Sequence, residues 1–187
     1  WYPGAGLYRP VRLLLAQQAG IKTFGLFART TRLDGITADG RRADIALLTV
    51  NTELRLPAQR ERKYTVRHVL RNAAGAEVSS AATDDNWGTE TCQVLRITDA
   101  DLWSPEHPTL YTLTTELLDG DRLLETRTTT TGIRLAEYDQ NGFKLNGVAR
   151  KFKGVCLHHD MGPIGAAFNK SAFRRQVRLL KDIGCDA

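Results

Sequence analysis

The chain has 187 residues, a formal net charge of +5, a hydrophobic content of 42% and a charged content of 25%. These proportions are typical of a globular chain and exclude a disordered one, which combines low hydrophobicity with high net charge. The longest apolar runs, such as Leu13-Leu14-Leu15, are far shorter than the roughly 20 residues of a membrane helix, so no membrane partner is expected. Basic residues are spread along the chain without a continuous block, so no nucleic-acid partner is predicted either.

The three cysteines, Cys92, Cys156 and Cys185, are an odd number and form no CxxC pair. They therefore predict neither a zinc site nor a disulfide framework. The sequence opens on Trp1 without a secretory leader, so it indicates no compartment, and cytoplasmic and exported locations both stay open.

The sequence up to Ile133 reads as short strands separated by turn residues. Within Tyr64–Leu70 the apolar side chains alternate with polar ones, as a half-buried strand requires, whereas Ile45–Val50 is apolar on both faces, which predicts a central strand. Asp119-Gly120 predicts a hairpin turn. About seven such stretches without a helical period predict an immunoglobulin-like β-sandwich. The stretches are Val11–Ala16, Ile21–Ala28, Ile45–Val50, Tyr64–Leu70, Cys92–Ile97, Leu110–Leu118 and Leu123–Thr131.

After Arg134 the pattern changes to that of an α/β fold. Phe143–Val148 predicts a hairpin around Asn146-Gly147, and Phe152–Leu157 predicts a short β-strand. A helix follows, capped by Asn169 or Ser171 and ended by Gly184. Its apolar side is formed by Phe173, Val177, Leu180 and Ile183. Strand, loop and helix make one βα unit, so the rest of that domain is expected to be missing from this chain.

Several motifs follow one another along the chain. They are Trp1–Arg9, Leu102–Tyr111, Gly132–Arg134, Phe143–Gly147 and Lys153–Val155 followed by His158-His159-Asp160. In these motifs and their order the chain resembles the glycoside hydrolases of family 2, the group of β-galactosidases, β-glucuronidases and β-mannosidases. The resemblance implies a mainly β chain in three parts: residues 1–9 as the tail of a sugar-binding jelly roll, 10–133 as the immunoglobulin-like sandwich, and 134–187 as the opening of an incomplete (β/α)8 barrel with a hairpin, first strand and first helix.

The resemblance also implies that both catalytic glutamates lie on later barrel strands, where neither matches a residue of this sequence. Retaining hydrolysis needs two carboxylates about 5–5.5 Å apart. After the first predicted barrel strand the acids are Asp160, Asp182 and Asp186, and only Asp160 lies near the end of the strand where barrel enzymes place their chemistry. We therefore predict no catalytic residue in this chain and no activity of the chain alone.

His158 is the leading candidate for a substrate-binding residue, because it stands at the C-terminal end of that strand. The resemblance implies that it lines the sugar subsite and stabilises the transition state. The alternative is a structural histidine whose ring forms hydrogen bonds only with nearby backbone groups. His159 and Asp160 are predicted to support it. A metal site is not expected, since adjacent strand residues point to opposite faces, and no cofactor is predicted.

Three further residues invite a functional interpretation. Trp103 and Tyr111 could stack on a sugar, but core packing is the favoured role for both inside a sandwich. Cys156, in the middle of the predicted strand, is expected to be a small buried apolar residue.

The resulting hypothesis is a fragment of a retaining enzyme that hydrolyses terminal β-galactosides. Two alternatives stay open: a β-glucuronidase or β-mannosidase of the same family, and a non-catalytic β-sandwich module for scaffolding or homo-oligomer contact. In either case residues 134–187 are expected to expose apolar faces that need neighbours.

Overall fold

The structure is a computed structural model, which describes residues 10–59, 63–86, 88–158 and 161–186, without the side chains of 84–86. The chain divides into two compact units. One runs from Ala16 to Arg150, and the other combines residues 10–15 with the described residues from Lys151 onward.

The first unit is a sandwich of two antiparallel sheets. One sheet has the strand order β1-β2-β5 and the other the order β4-β3-β6-β7. The strands are β1 (Gly20–Ile36), β2 (Arg42–Arg55), β3 (Tyr64–Arg71), β4 (Glu77–Asn86), β5 (Glu90–Asp101), β6 (Tyr111–Asp119) and β7 (Arg122–Thr131). The predicted mainly β fold with a sandwich-like arrangement of sheets is therefore confirmed.

Individual strands agree with the sequence pattern to different degrees. The apolar stretch Ile45–Val50 lies in β2, the central strand of its sheet, as predicted. Asp119-Gly120 joins β6 to β7, and Gly120 takes the positive φ of 55° that such a turn requires. The predicted strand Val11–Ala16 is wrong, because these residues have no regular secondary structure and pair with no described strand.

The inward faces of the sheets form two apolar clusters with a polar layer between them. One cluster is built around Leu48, Leu70, Leu95 and Leu113, and the other around Ile21, Leu54, Val66 and Leu117. The polar layer crosses the sandwich at positions where four strands turn a polar side chain inward. Its members are Thr52, His68, Thr91, Gln93 and Thr115, all buried.

A small three-stranded sheet completes this unit. Its strands are β8 (Ala136–Asp139), β9 (Gly142–Leu145) and β10 (Val148–Ala149). The predicted hairpin around Asn146-Gly147 joins β9 to β10, with φ angles of 51° and 75° at the two turn residues. The buried Asn146 side chain accepts a hydrogen bond from Leu135 N (3.0 Å) and donates to Gly40 O (3.0 Å) and Trp103 O (3.1 Å). The compact unit thus extends beyond residue 133, while the three-part division implied by the resemblance stays a prediction.

The second unit contains helix α1 (Lys170–Asp182) and a short 3-10 turn at Gly162–Ile164. As predicted, Asn169 caps the helix, and Gly184 follows its end with a φ of 83°. Residues 151–158 have no regular secondary structure, so Phe152–Leu157 is not a strand here, and Cys156 is exposed rather than buried. Both expectations fail for one reason: no described strand pairs with this segment or covers it. No helix among the described residues is long and apolar enough to cross a bilayer.

Candidate functional site

A backbone hydrogen bond joins the segment that leads to His158 to the residues after α1. Asp186 N donates a hydrogen bond to Lys153 O at 2.7 Å, after the chain has passed through α1. The chain therefore returns beside the start of the 151–158 segment, as it does in a parallel β-helix-β crossover. His158 lies at the opposite end of the segment.

The loop after this segment closes on itself before α1 begins. Met161 N donates to Gly165 O at 2.9 Å, and Gly165 has a φ of 57°. Asn169 N contacts Met161 Sδ at 3.2 Å, while Asn169 Oδ1 accepts from Ala172 N at 3.0 Å. The helix cap and the loop are thus one hydrogen-bonded structure beside His158.

A cavity of about 240 Å³ opens between His158, this loop and the first turns of α1. Its wall is mainly apolar, with the imidazole of His158 and the amide of Gln176 as its polar side chains. The rings of Phe168 and Phe173 meet with their centroids 5.5 Å apart. The lining residues are Leu157, His158, Met161, Ala166, Ala167, Phe168, Phe173 and Gln176. Aromatic rings beside a few hydrogen-bonding groups form the kind of surface that accepts a small polar organic ligand.

The sequence-predicted site residues are only partly described by the structure. His158 is exposed and lines the cavity. His159 and Asp160 lie outside the described residues, so their predicted support of His158 stays a prediction. Among the described residues, no three His, Cys, Asp or Glu side chains form a group that could hold a metal ion.

Phe168 and Gln176 were not identified as site residues from the sequence. Gln176 follows Phe173 by three positions, so the two share a face of α1, and this spacing was the available signal. Phe168 lies in an irregular loop, where periodicity carries no information about direction.

The two aromatic residues weighed as sugar contacts are both part of the sandwich. Tyr111 is 3% exposed, and its hydroxyl group accepts from Asp101 N (2.9 Å) and donates to Asp101 O (3.2 Å). Burial raises the pKa of this phenol above its usual value. Trp103 is half-buried under the Arg134 guanidinium, which lies 4.6 Å from its ring centroid. The predicted core role is confirmed for Tyr111, whereas the ring of the half-buried Trp103 packs against the Arg134 guanidinium.

Glu106, within the Leu102–Tyr111 motif, is the most strongly perturbed carboxyl group of the described residues. Both of its oxygens accept hydrogen bonds from Arg150, at 2.9 and 2.6 Å, and this guanidinium lowers the pKa of Glu106 to about 2. A catalytic acid needs the opposite shift, which keeps the carboxyl group protonated. Glu106 therefore ties the motif to the end of the hairpin and is no candidate for a general acid.

Comparison with known proteins places these features in a family. The sequence profile of the glycosyl hydrolases of family 2 matches residues 32–134. The β-galactosidase BoGH2A of Bacteroides ovatus is 33% identical over 191 aligned positions, which cover 100% of this chain and 22% of that protein. A β-glucuronidase of Paenibacillus borealis is 30% identical over 184 positions, covering 98% of this chain and 27% of that protein.

Two solved structures agree with the fold. A Bifidobacterium dentium β-glucuronidase, complexed with coumarin-3-O-glucuronide, superposes with a TM-score of 0.80 at 26% identity, covering 90% of this chain and 26% of that one. A β-glycosidase from Bacteroides vulgatus gives a TM-score of 0.77 at 30% identity, covering 99% of this chain and 22% of that one. The chain thus spans about a quarter or less of the length of most of these relatives.

Proposed function

This chain belongs to the glycosyl hydrolases of family 2, and we propose that it is part of a longer enzyme that hydrolyses terminal β-galactosides with retention of configuration. The observation that carries the proposal is the His158 cavity. It lies at the His158 end of the 151–158 segment, which would be the ligand-binding end if that segment is the first barrel strand, and its wall combines two aromatic rings with an imidazole and an amide. In this proposal residues 134–187 open a (β/α)8 barrel.

Within that enzyme, His158 binds the sugar and stabilises the transition state through a hydrogen bond from its ring. The backbone return of Asp186 to Lys153 supports a parallel barrel opening, in which the 151–158 segment becomes the first strand once neighbours pair with it. His159 and Asp160 follow directly and are proposed to orient His158 and the adjoining loop.

The chain does not supply the two carboxylates that a retaining mechanism needs. Asp182 lies at the end of α1, and Asp186 N is bonded to Lys153 O at the far end of the segment from His158. Asp160 alone makes no pair. The catalytic acid/base and nucleophile are therefore proposed to come from parts of the enzyme beyond this chain.

A galactoside is proposed rather than a glucuronide because of the loop around the cavity. The stretch His158–Gly162 followed by Gly165-Ala166-Ala167 is similar to β-galactosidases, and it provides two lining alanines, while no lysine or arginine is among the described residues that line the cavity. A uronate would favour a basic group near its carboxylate.

The test measures two proteins with nitrophenyl β-galactoside, β-glucuronide and β-mannoside. We expect no turnover by the 187-residue chain, and we expect the product of the complete gene to favour the galactoside by at least about 100-fold in kcat/KM. In the complete protein, His158→Ala should lower kcat/KM by about 100-fold, as loss of one transition-state hydrogen bond does.

His107→Ala is the matched control, because His107 is exposed in the sandwich unit and lines no part of the cavity. Its kcat/KM should equal that of the wild type. Saturable turnover by the chain alone would contradict the carboxylate argument, and preference for the glucuronide or mannoside would overturn the substrate. A complete gene product without activity on any of the three would favour the scaffolding module instead.

A further inference from the structure

A groove of about 450 Å³ runs between β1 and the segment Thr131–Ala136 in the sandwich unit. It is lined by Phe27, Ala28, Arg29, Thr30, Thr31, Thr131, Gly132, Arg134, Leu135 and Ala136. We propose that this β1 groove binds an anionic saccharide, a sugar chain that carries carboxylate or sulfate groups. None of its residues lines the His158 cavity, so the inference does not depend on the proposed hydrolase activity.

The charge of the groove is the first argument. Two of the ten lining residues are arginines and none is acidic. Arg29 forms no ion pair with a described carboxylate, whereas Arg32, three residues further along the same strand, pairs with Asp34 at 2.9 Å. Guanidinium groups without a carboxylate partner are the groups that bind carboxylate or sulfate with two parallel hydrogen bonds.

The exposed aromatic ring is the second argument. Phe27 is 58% exposed although it lies in the middle of a 17-residue strand. Unlike the still more exposed Phe24, Phe27 lines the groove beside Arg29 and Thr31, so its ring is available to a ligand that lies there. The flat ring offers a stacking face for the C–H side of a pyranose, and the hydroxyl group of Thr131 lines the same groove.

The groove is also held in shape before any ligand binds. Arg134 N donates to the Thr30 hydroxyl group at 3.1 Å, and Trp103 N donates to Ile133 O at 2.8 Å. A Cβ at Gly132 would lie 2.8 Å from the Trp103 side chain, so only glycine fits there. Trp103 in turn supports the Arg134 guanidinium. Such preorganisation lowers the entropic cost of binding.

The size and polarity of the groove decide the class of ligand. Ligand sites usually measure about 300–1,000 Å³, which is much more than one inorganic anion fills. An apolar polypeptide segment would leave the two guanidinium groups unpaired, which is costly once they are covered. A short sugar chain with acidic groups can contact the Phe27 ring, the threonine side chains and the two arginines together.

The experiment is an NMR titration of the 187-residue chain with two disaccharides that differ only at C6. Digalacturonate carries carboxylates and galactobiose does not, while sodium acetate and sodium sulfate test simple anions. We expect digalacturonate to shift the amides of 27–31 and 131–136 and to bind at least about tenfold more tightly than the other three, as charge-assisted hydrogen bonds imply. Raising NaCl from about 0.05 to 0.5 M should weaken it further.

Two variants and two matched controls come from the same strand. Arg29→Gln and Phe27→Ala should each lower the affinity for digalacturonate about tenfold, by loss of one charged or one aromatic contact. Arg32→Gln and Phe24→Ala should not change it, because Arg32 is already paired and the 97% exposed Phe24 does not line the groove. Thermal melting confirms that each variant is folded. Equal binding of galactobiose, acetate or sulfate would overturn the proposal, as would absent binding or binding that survives both groove substitutions.

Discussion

His68 is completely buried at the centre of the sandwich, and both of its ring nitrogens contact threonine hydroxyl groups. Nδ1 lies 2.9 Å from Thr115 Oγ1 and Nε2 lies 3.3 Å from Thr52 Oγ1, so the ring links the two sheets. Beside it, Gln93 Nε2 donates to Val66 O at 3.0 Å, also across the sheets. A hydroxyl group can donate or accept, so both contacts suit a neutral imidazole. Burial lowers the pKa of His68 to about 4.

This burial predicts a loss of stability in mild acid. The unfolded chain takes up a proton at His68 below pH of about 6.5, whereas the folded chain does so only near 4, so the free energy of unfolding falls as the pH drops between these values. From pH 7.5 to pH 5.0 the loss should be about 2 kcal/mol. Urea unfolding at the two pH values measures it.

The contribution of His68 is isolated by comparing variants. His68→Gln removes the titrating group while its amide still offers a donor and an acceptor, so the acid loss should shrink by about 2 kcal/mol even though the variant is weaker at neutral pH. His107→Gln removes an exposed histidine and should leave the loss unchanged. An equal loss in the wild type and in His68→Gln would show that another group is responsible.

At the scale of the strands, side chains of β7 form hydrogen bonds to the backbone of β1 at Ile21 and Lys22. Glu125 Oε2 accepts from Ile21 N at 2.8 Å, and Arg127 donates to Ile21 O at 2.6 Å and Lys22 O at 2.9 Å. The two side chains are joined by a bond of 2.7 Å from Arg127 Nε to Glu125 Oε1. The pairing of β1 with β2 is irregular between Ile21 and Leu26. The Glu125–Arg127 pair, called the clasp below, therefore holds β1 where its pairing with β2 becomes irregular.

Loss of the clasp should destabilise the sandwich. Arg127→Ala removes three hydrogen bonds from a charged donor next to the buried Ile21, and we expect the free energy of unfolding to fall by about 2 kcal/mol. Arg127→Lys should not restore it, because one ammonium group cannot reach both carbonyl groups and the carboxylate in the fork geometry. Arg122→Ala, an exposed position on the same strand, is the control. A change at position 127 no larger than at 122 in urea unfolding would show that the clasp is energetically neutral.

The sequence predicted those strands whose own side chains carry the pattern. β6 alternates in burial as expected, and β3 does so up to His68, because Tyr64, Val66, Tyr111 and Leu113 turn to the core; Val69 of β3 is buried as well. β4 was missed, since Glu77–Asn86 consists mainly of small and polar residues and forms an edge strand whose pairing is provided by β3. The reverse error occurred at Val11–Ala16 and Phe152–Leu157, which have strand-like residues but no described partner strand. Strand formation needs a neighbour, and that information is not local.

The same limit applies to the candidate site. His158 could be selected because it follows an apolar stretch that reads as a strand in the sequence, although that strand does not form here, and the cap at Asn169 has a local signature. The contribution of Phe168 depends on how the loop folds back through Met161, which no local pattern encodes. The polar layer around His68 could not be predicted either, because the local sequence does not show whether a single histidine on a strand points into the core or into solvent.

At the scale of the whole molecule, the two units differ in how much apolar surface they cover. The sandwich buries long apolar side chains from both sheets, including Leu48, Leu95, Leu113 and Leu117 at 0% exposure. In the second unit α1 contains no fully buried residue. Several large apolar side chains of this unit are exposed, with Phe152 at 49%, Val155 at 45%, Leu157 at 46%, Leu179 at 49% and Ile183 at 73% exposure. These are the faces that neighbouring barrel units would cover in the proposed enzyme.

In the dilute chain, backbone amides before Arg150 should therefore exchange hydrogen much more slowly than those after it. Amides of β2, β3, β5 and β6 donate within sheets that cover an apolar core, so they should open only with global unfolding. Residues 151–158 lie in no ladder, and a helix of 13 residues without a buried face is marginal in water, so amides of 151–158 and α1 should exchange at least about 100-fold faster. Exchange followed by mass spectrometry at two protein concentrations measures this, since self-association through the exposed apolar faces would slow exchange only at the higher one. If residues 151–186 were as well protected as the sandwich at the lower concentration, the second unit would be stable without neighbours. The argument that its apolar faces need further barrel units would then fail.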